Sequence, residues 1–383
     1  MDYKGRISKL VKAMAEQDLD AVFLKMSSDL QYFTGVLRQP HNTTDDNKHG
    51  DAIYGALITR DGKVIFMVPR MGASDYVKGQ SEGKPWINEI RVIDDGDNLV
   101  SFLSDTLSSI GIVRNLGVSK KIWYQGIELF RQAKSDLMIT SVANIVEPMR
   151  AIKDKDEIAL MKKAGEITDK IYGEVIKKIK VGMTEYDIER EIDYQMILHG
   201  ASFNSFHTEV KVEGKATRRL KYTNGITGAN AVVPKSVIAF DFGIIYQGYV
   251  SDFGRTLFVS EAEEKYVLYH DAVMKAQKLA IEAMKSNQIT AAKLNSLARG
   301  VLDELEYGDY FTHRLGHGIG IDVHEPPFLY ELDNTVLKKG MCFTVEPSIW
   351  VKNDVMVRVE DVVMVTESGG ECFSKFSKDI IVI

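Results

Sequence analysis

Cysteine is scarce: Cys342 and Cys372 are the only two in 383 residues, and neither sits in a C-x-x-C pair. That excludes a disulfide framework and fits a reducing, cytoplasmic setting. Proline occupies only 8 positions, while 45% of residues are hydrophobic and 27% charged. This is the composition of an ordinary folded protein, so disorder and collagen-like repetition are excluded. Basic residues are not in excess, since 48 Lys plus Arg face 54 Asp plus Glu for a net charge of −6. A chain with no surplus to neutralise phosphates is not expected to bind nucleic acid. No stretch approaches the roughly 18 consecutive apolar residues of a membrane span. Residues 1–17 interrupt their apolar positions with charge every few residues, so no signal peptide is expected either.

The length is about two and a half times the roughly 150 residues of an average domain, which predicts two domains. Ile7, Leu10, Val11 and Met14 recur at helical spacing and lead into the strand-like run DAVFLK at 20–25. Residues 56–68 read as a hairpin around the Asp61-Gly62 turn signal. Helix-like pieces at 99–110 and 127–133 alternate with short apolar runs at 90–93 and 145–146, and the polar stretch 38–50 reads as a surface loop. Residues 1–147 are therefore expected to form an α/β domain. Pro148 interrupts the pattern, and a long amphipathic helix over 152–179 opens a second domain, 148–383. A further helix starts at Thr184, with Asp187 as its capping partner, and stops at Gly200. Beyond it, strand-like runs at 237–242, 248–252, 256–259, 342–345, 357–359 and 362–365 are interrupted by helices at 261–286 and 290–305. The second domain is expected to be α+β.

Chemistry gathers in three segments of that second domain. Asp241 lies inside an apolar strand-like run, and Asp252 ends what reads as the return strand of a hairpin. A carboxylate buried in a strand is costly unless paired or bound to metal, and two side by side call for a shared cation. In FTHRLGHGIGIDVHEPP, at 311–327, His313, His317 and His324 cluster among glycines. A single histidine is usually a hydrogen-bonded structural residue, but three so close together favour function. Glu346 ends one β-branched run and Glu360 interrupts another. With one of the histidines, Asp241, Asp252, Glu346 and Glu360 make an oxygen-rich set with a formal charge of −4 when ionised. Two divalent cations would balance it, the logic of a two-metal hydrolase. The absence of thiolates suits Mn²⁺ or Co²⁺ best, with Zn²⁺ or Fe²⁺ as alternatives.

On these residues the chain resembles the creatinase, prolidase and methionine aminopeptidase superfamily, the pita-bread metallopeptidases, and most closely its Xaa-Pro aminopeptidase and prolidase branch. The similarity runs along essentially the whole chain: RISKLVKAMAEQDLDAVFL and LQYFTG in the first domain, then SDFGRT, HRLGHGIGIDVHE, TVEPSI and VRVED in order. The resemblance implies a creatinase-like amino-terminal domain, a pita-bread catalytic domain and a homodimer. It implies Asp241, Asp252, His317, Glu346 and Glu360 as ligands of two metal ions. It also implies that His324 contacts the substrate carbonyl, that His313 helps position the substrate, and that Arg358 pairs with a ligand carboxylate from behind. Glu346 would accept the water proton, and Thr256 would support the site.

Two departures from the family pattern stand out. Gly254 replaces the first Thr of SDxTRT, although Thr256 remains. A histidine expected upstream of Asp241 is missing, because His207 comes too early and Lys221, Tyr222 and Lys235 stand nearer the place. The activity implied is cleavage of the bond before proline in small peptides. The missing histidine keeps open a non-peptide C–N hydrolase of the creatinase or ectoine-hydrolase type. Relatives that have become binding proteins typically lose ligands, and this chain keeps all five.

Overall fold

A computed structural model describes residues 1–38, 48–73, 86–214 and 230–383. The chain divides into two compact units, Met1–Arg150 and Ala151–Ile383.

In the first unit, helix α1 (Tyr3–Glu16) is capped by the Asp2 carboxylate, which accepts from the Gly5 N–H, and it buries Ile7, Leu10 and Met14. It leads into β1 (Ala21–Lys25), buried throughout, and then α2 (Ser28–Thr34). Strands β2 (Gly55–Thr59) and β3 (Val64–Pro69) form the hairpin expected around Asp61-Gly62, with Gly62 at φ +84°. With β4 (Glu89–Ile93), β5 (Asn115–Val118) and β6 (Met138–Ser141) they make one six-stranded sheet of order β4-β3-β2-β1-β5-β6. Helices α3 (Leu99–Ser109) and α4 (Tyr124–Ala133) contribute Leu103 and Phe130 to a core that includes Phe23, Leu57 and Ile65. The apolar run 145–146 is not a strand: it lies in helix α5 (Ala143–Ala151), which contains Pro148. Proline forfeits one backbone bond there.

The second unit opens with α6 (Lys155–Ile176), whose Asp154 and Glu157 form a reciprocal capping box. Helix α7 (Glu185–Leu198) carries the expected Thr184 and Asp187 box. A three-stranded sheet of order β11-β10-β7 joins β7 (Phe203–Asn204), β10 (Ile244–Tyr246) and β11 (Tyr249–Val250). A four-stranded sheet of order β20-β12-β9-β8 joins β8 (Glu209–Glu213), β9 (Val237–Phe242), β12 (Phe253–Phe258) and β20 (Ile381–Val382). A five-stranded sheet of order β14-β13-β15-β18-β19 joins β13 (Gly316–Gly318), β14 (Glu325–Leu329), β15 (Cys342–Val345), β18 (Asp361–Val365) and β19 (Gly370–Cys372). A separate hairpin pairs β16 (Ser348–Val351) with β17 (Val355–Arg358). Helices α8 (Glu264–Ala283) and α9 (Ala291–Glu304) bury Tyr266, Val273, Leu294 and Leu302 in one core, and α6 and α7 bury Ile171 and Ile192 in another. Among the described residues no helix is long and apolar enough to cross a membrane.

Strand β8 lies at a sheet edge, yet its outward N–H groups are not left open. The Val210 N–H donates to Glu189 and the Val212 N–H to Glu185, both from α7. Four residues of helix rise about 6 Å and two of strand about 6.7 Å, so alternating strand amides meet an i, i+4 pair of carboxylates. Burial pushes the Glu185 carboxyl up to about 7, against the bonds it accepts from Val212 and Asn230 and with help from the nearby Glu189 charge. A carboxyl raised in the folded state stabilises fully below its unfolded value near 4.5, and that contribution is lost as pH rises through about 7. Urea midpoints measured from pH 4.5 to 7.5 should therefore fall with pH less steeply in Glu185→Gln than in wild type. Parallel curves would remove Glu185 as the source.

Candidate metal centre

Strands β9 and β12 run antiparallel with Phe242 opposite Phe253 and Asp241 opposite Gly254. The chain between them turns at Gln247 and Gly248, both at positive φ. Asp241 and Asp252 are thus brought together by strand pairing. Glu360, just ahead of β18, exchanges backbone hydrogen bonds with Gly254, its N–H donating over 2.9 Å. A Cβ at Gly254 would stand 2.9 Å from Glu360 Cβ and 3.1 Å from Arg358 Cδ. Glycine here makes room for the two side chains, in addition to lacking the hydroxyl of a threonine. Thr256 clamps the Arg358 backbone, donating to its carbonyl at 3.0 Å and accepting from its N–H at 2.9 Å.

Behind these strands the fully buried Asp361 receives Arg255 at 2.8 Å and Lys378 at 2.6 Å. Arg255 also donates to the Glu360 carbonyl at 2.7 Å. From α8, the Gln277 amide nitrogen reaches the carbonyls of Val345 and Val359, each at 3.1 Å. Those residues immediately precede Glu346 and Glu360, so one side chain sets the spacing of two strand ends.

Asp241, Asp252 and Glu360 each offer a carboxylate oxygen within 4.8 Å of the others. His317 Nε2 lies 3.4 Å from Glu346 Oε1 and 3.7 Å from Asp252 Oδ2. Its Nδ1 is 3.1 Å from the Gly318 carbonyl, which can only accept. The proton is therefore assigned to Nδ1, leaving the Nε2 lone pair toward the carboxylates. Arg358 pairs with Asp241 and lies 3.6 Å from Glu360 Oε2.

Among the described residues one guanidinium, that of Arg358, is paired into the set, which does not balance four carboxylates. Burial, reinforced by the charges of Asp241 and Glu346, holds the Asp252 carboxyl well above its usual range, and burial with Asp252 does the same to Glu360. Glu346 is pushed up to about 7 by burial and Asp241, against the pull of Arg358. His317 is pushed down to about 3, chiefly by burial. Among the described residues, Asp252 Oδ1 and Glu360 Oε2 are buried with no hydrogen-bond partner. Orphaned carboxylate oxygens in the same cluster as an imidazole lone pair are the donor set a divalent cation satisfies.

These five side chains open on one cavity of about 820 Å³, which His313, His324 and Arg358 also line. His324 is exposed to it, with its ring centroid 4.1 Å from that of His317. The loop joining the two histidines is held by Glu325, which accepts from the N–H groups of Ile321 and Asp322, both at 2.9 Å, and pairs with buried Lys153 at 3.3 Å. His313 is engaged at both nitrogens, Nδ1 at 2.7 Å from the Arg314 carbonyl and Nε2 at 2.6 Å from Ser348 Oγ.

The cavity also contains residues the sequence did not single out, among them Phe206, Lys211, Arg314, Phe328, Trp350 and Met356. The alternation of Ser348 with Trp350 and of Met356 with Arg358 along a hairpin was the available signal. His207 is exposed, and Lys235 pairs with Glu261; neither lines the cavity. Lys221 and Tyr222 lie outside the described residues.

Residues 159–367 match the model of metallopeptidase family M24, and residues 6–152 match that of the creatinase/prolidase N-terminal domain. The chain belongs to metallopeptidase family M24, with a creatinase-type α/β domain ahead of a pita-bread catalytic domain. It is similar to the Xaa-Pro dipeptidase of Pyrococcus furiosus, at 30% identity over 379 residues that cover 99% of this chain and 100% of that protein. Among solved structures it resembles a dipeptidase of Pyrococcus horikoshii, with TM-score 0.85, 26% identity and coverage of 99% of this chain and 100% of that one. It also resembles an X-Pro aminopeptidase of Thermotoga maritima, with TM-score 0.82, 25% identity and the same coverage of 99% and 100%.

Gly254→Ala should push Glu360 out of place. The purified variant is expected to take up less Mn²⁺ than wild type by metal analysis, with an unchanged far-UV circular dichroism spectrum. Equal metal content would mean that Glu360 moves aside without consequence.

Proposed function

We propose that this chain is a two-metal peptidase that cleaves the bond before proline in small peptides. The observation that carries this reading is the buried carboxylate set with unpaired oxygens beside an oriented imidazole, at the floor of a peptide-sized cavity. Asp241, Asp252, His317, Glu346 and Glu360 would hold two divalent cations, Mn²⁺ or Co²⁺ by the oxygen-rich donor set. When bound, such ions polarise a carbonyl and lower the pKa of water toward neutrality.

The protein's own groups do the rest. Glu346 accepts the proton of the attacking water and passes it to the leaving amine. His324, exposed in the cavity beside His317, donates to the oxygen of the scissile carbonyl as charge develops there. Arg358 pairs with Asp241 and holds it in place. His313, bonded at both nitrogens, acts through the wall it fixes at Ser348. The names of the relatives, Xaa-Pro dipeptidase and X-Pro aminopeptidase, support proline specificity. Two free cysteines support a cytoplasmic setting. A homodimer, expected from the resemblance, is read by light scattering of the purified protein.

A second reading is favoured by one observation: His207 does not line the cavity, so no described histidine stands where peptidase relatives carry one upstream of Asp241. The alternative is a non-peptide C–N hydrolase on a guanidino or cyclic amide substrate. A panel of Xaa-Pro dipeptides, Xaa-Pro-Xaa peptides and such small compounds, assayed with Mn²⁺ and Co²⁺, separates the two. Cleavage confined to the small compounds would overturn the peptidase reading.

Wild type is expected to hold two ions per chain and Glu360→Ala fewer. Equal content in both proteins would sink the two-metal assignment. His324→Ala should keep its metal and lose on the order of 10²- to 10³-fold in turnover. Loss of metal in step with activity would instead make His324 a ligand.

A further inference from the structure

The hairpin of β16 and β17 has two faces of different character. Ile349, Val355 and Val357 are fully buried in the core. The alternate residues Ser348, Trp350, Met356 and Arg358 face the cavity, with Ser348 opposite Arg358 and Trp350 opposite Met356. The first pair adjoins the carboxylates, since Arg358 binds Asp241. The second lies two residues further along the strand, about 7 Å away. That distance suits the residue next to a bond held at the carboxylates.

Trp350 differs from its neighbours on that wall. It is 48% exposed, whereas Met356 is 5% and Ser348 1% exposed. Its indole N–H donates to no described residue. The charge beside it is already balanced: the Lys211 ammonium sits 5.8 Å from the ring centroid but pairs with Glu209 at 3.1 Å. What this part of the wall presents is therefore a flat apolar π face. Such a face attracts compact apolar rings whose C–H groups are polarised by a neighbouring nitrogen.

We infer that Trp350 is a substrate-binding residue whose indole face is the platform for the prolyl ring, an assignment that rests on the peptidase reading above. Proline specificity then comes from a side chain on the hairpin wall, separate from the acidic centre.

The test uses the full-length, Mn²⁺-loaded protein. Trp350→Ala should raise KM for Ala-Pro by roughly three- to tenfold with kcat nearly unchanged, while Trp350→Phe, which keeps an aromatic face, stays close to wild type. Metal content and melting temperature of both variants should match wild type. Tryptophan emission of wild type should shift on titration with L-proline but not with L-alanine, and Trp350→Phe should lose the shift. An unchanged KM in Trp350→Ala, a fall confined to kcat, or an equal response to both amino acids would overturn the platform while leaving the peptidase reading intact. Failure of wild type to cleave Ala-Pro at all would overturn both.

Discussion

The organising constraint is the crowding of Asp241, Asp252, Glu346 and Glu360 in a largely buried place where, among the described residues, one guanidinium is paired into the set. Left alone, such charges would separate or take up protons, and the raised carboxyls of Asp252, Glu346 and Glu360 express that tendency. Much of the surrounding architecture prevents the separation. The β9 and β12 register fixes the two aspartates, and the Arg255 and Asp361 pair anchors the backbone of Glu360. Gln277 ties the strand ends that deliver the two glutamates. A buried ion pair such as Arg255 with Asp361 is weak evidence for stability in itself. Its use here is positional, since Arg255 also fixes the backbone carbonyl of Glu360, which carries one of the crowded carboxylates.

The acidic residues were legible because each breaks an apolar run, a contrast visible within a few positions. The helix starts at 154 and 184 were partly legible for the same local reason: the Thr184 and Asp187 box was read from the sequence, while the start at Asp154 was placed slightly early. The short apolar run 145–146 did not reveal its helix because two apolar residues have no period, and helix α5 took them despite Pro148. Gly254 was legible only as a missing hydroxyl. Its steric part, room for Glu360 and Arg358, depends on a strand more than a hundred residues away. The Arg255, Asp361 and Gln277 network was invisible for that reason too, since nothing local marks partners that meet only after three elements have packed. Glu185 and Glu189 look like surface charges on an amphipathic helix until β8 arrives beside them.

The cavity wall shows the same limit from the other side. Strands of four residues joined by a polar turn carry too short an alternation to announce which face meets solvent. The fold resolves it by burying Ile349, Val355 and Val357, which forces Trp350 and Met356 toward the cavity. Side chains that contact substrate are thus selected by what their neighbours must hide.

Lys153 has a consequence for how this protein is divisible. The M24 match begins at residue 159, but the compact unit begins at Ala151. Between the two lies the ammonium that meets Glu325, beneath the loop that spaces His317 and His324. A piece cut at 159 would carry every acidic side chain of the centre and still strand a buried carboxylate under that loop, a charge that burial penalises heavily when its partner is gone. The seam of kinship and the seam of the fold do not coincide, and residues 151–154 travel with the catalytic unit in any split, graft or permutation of the chain.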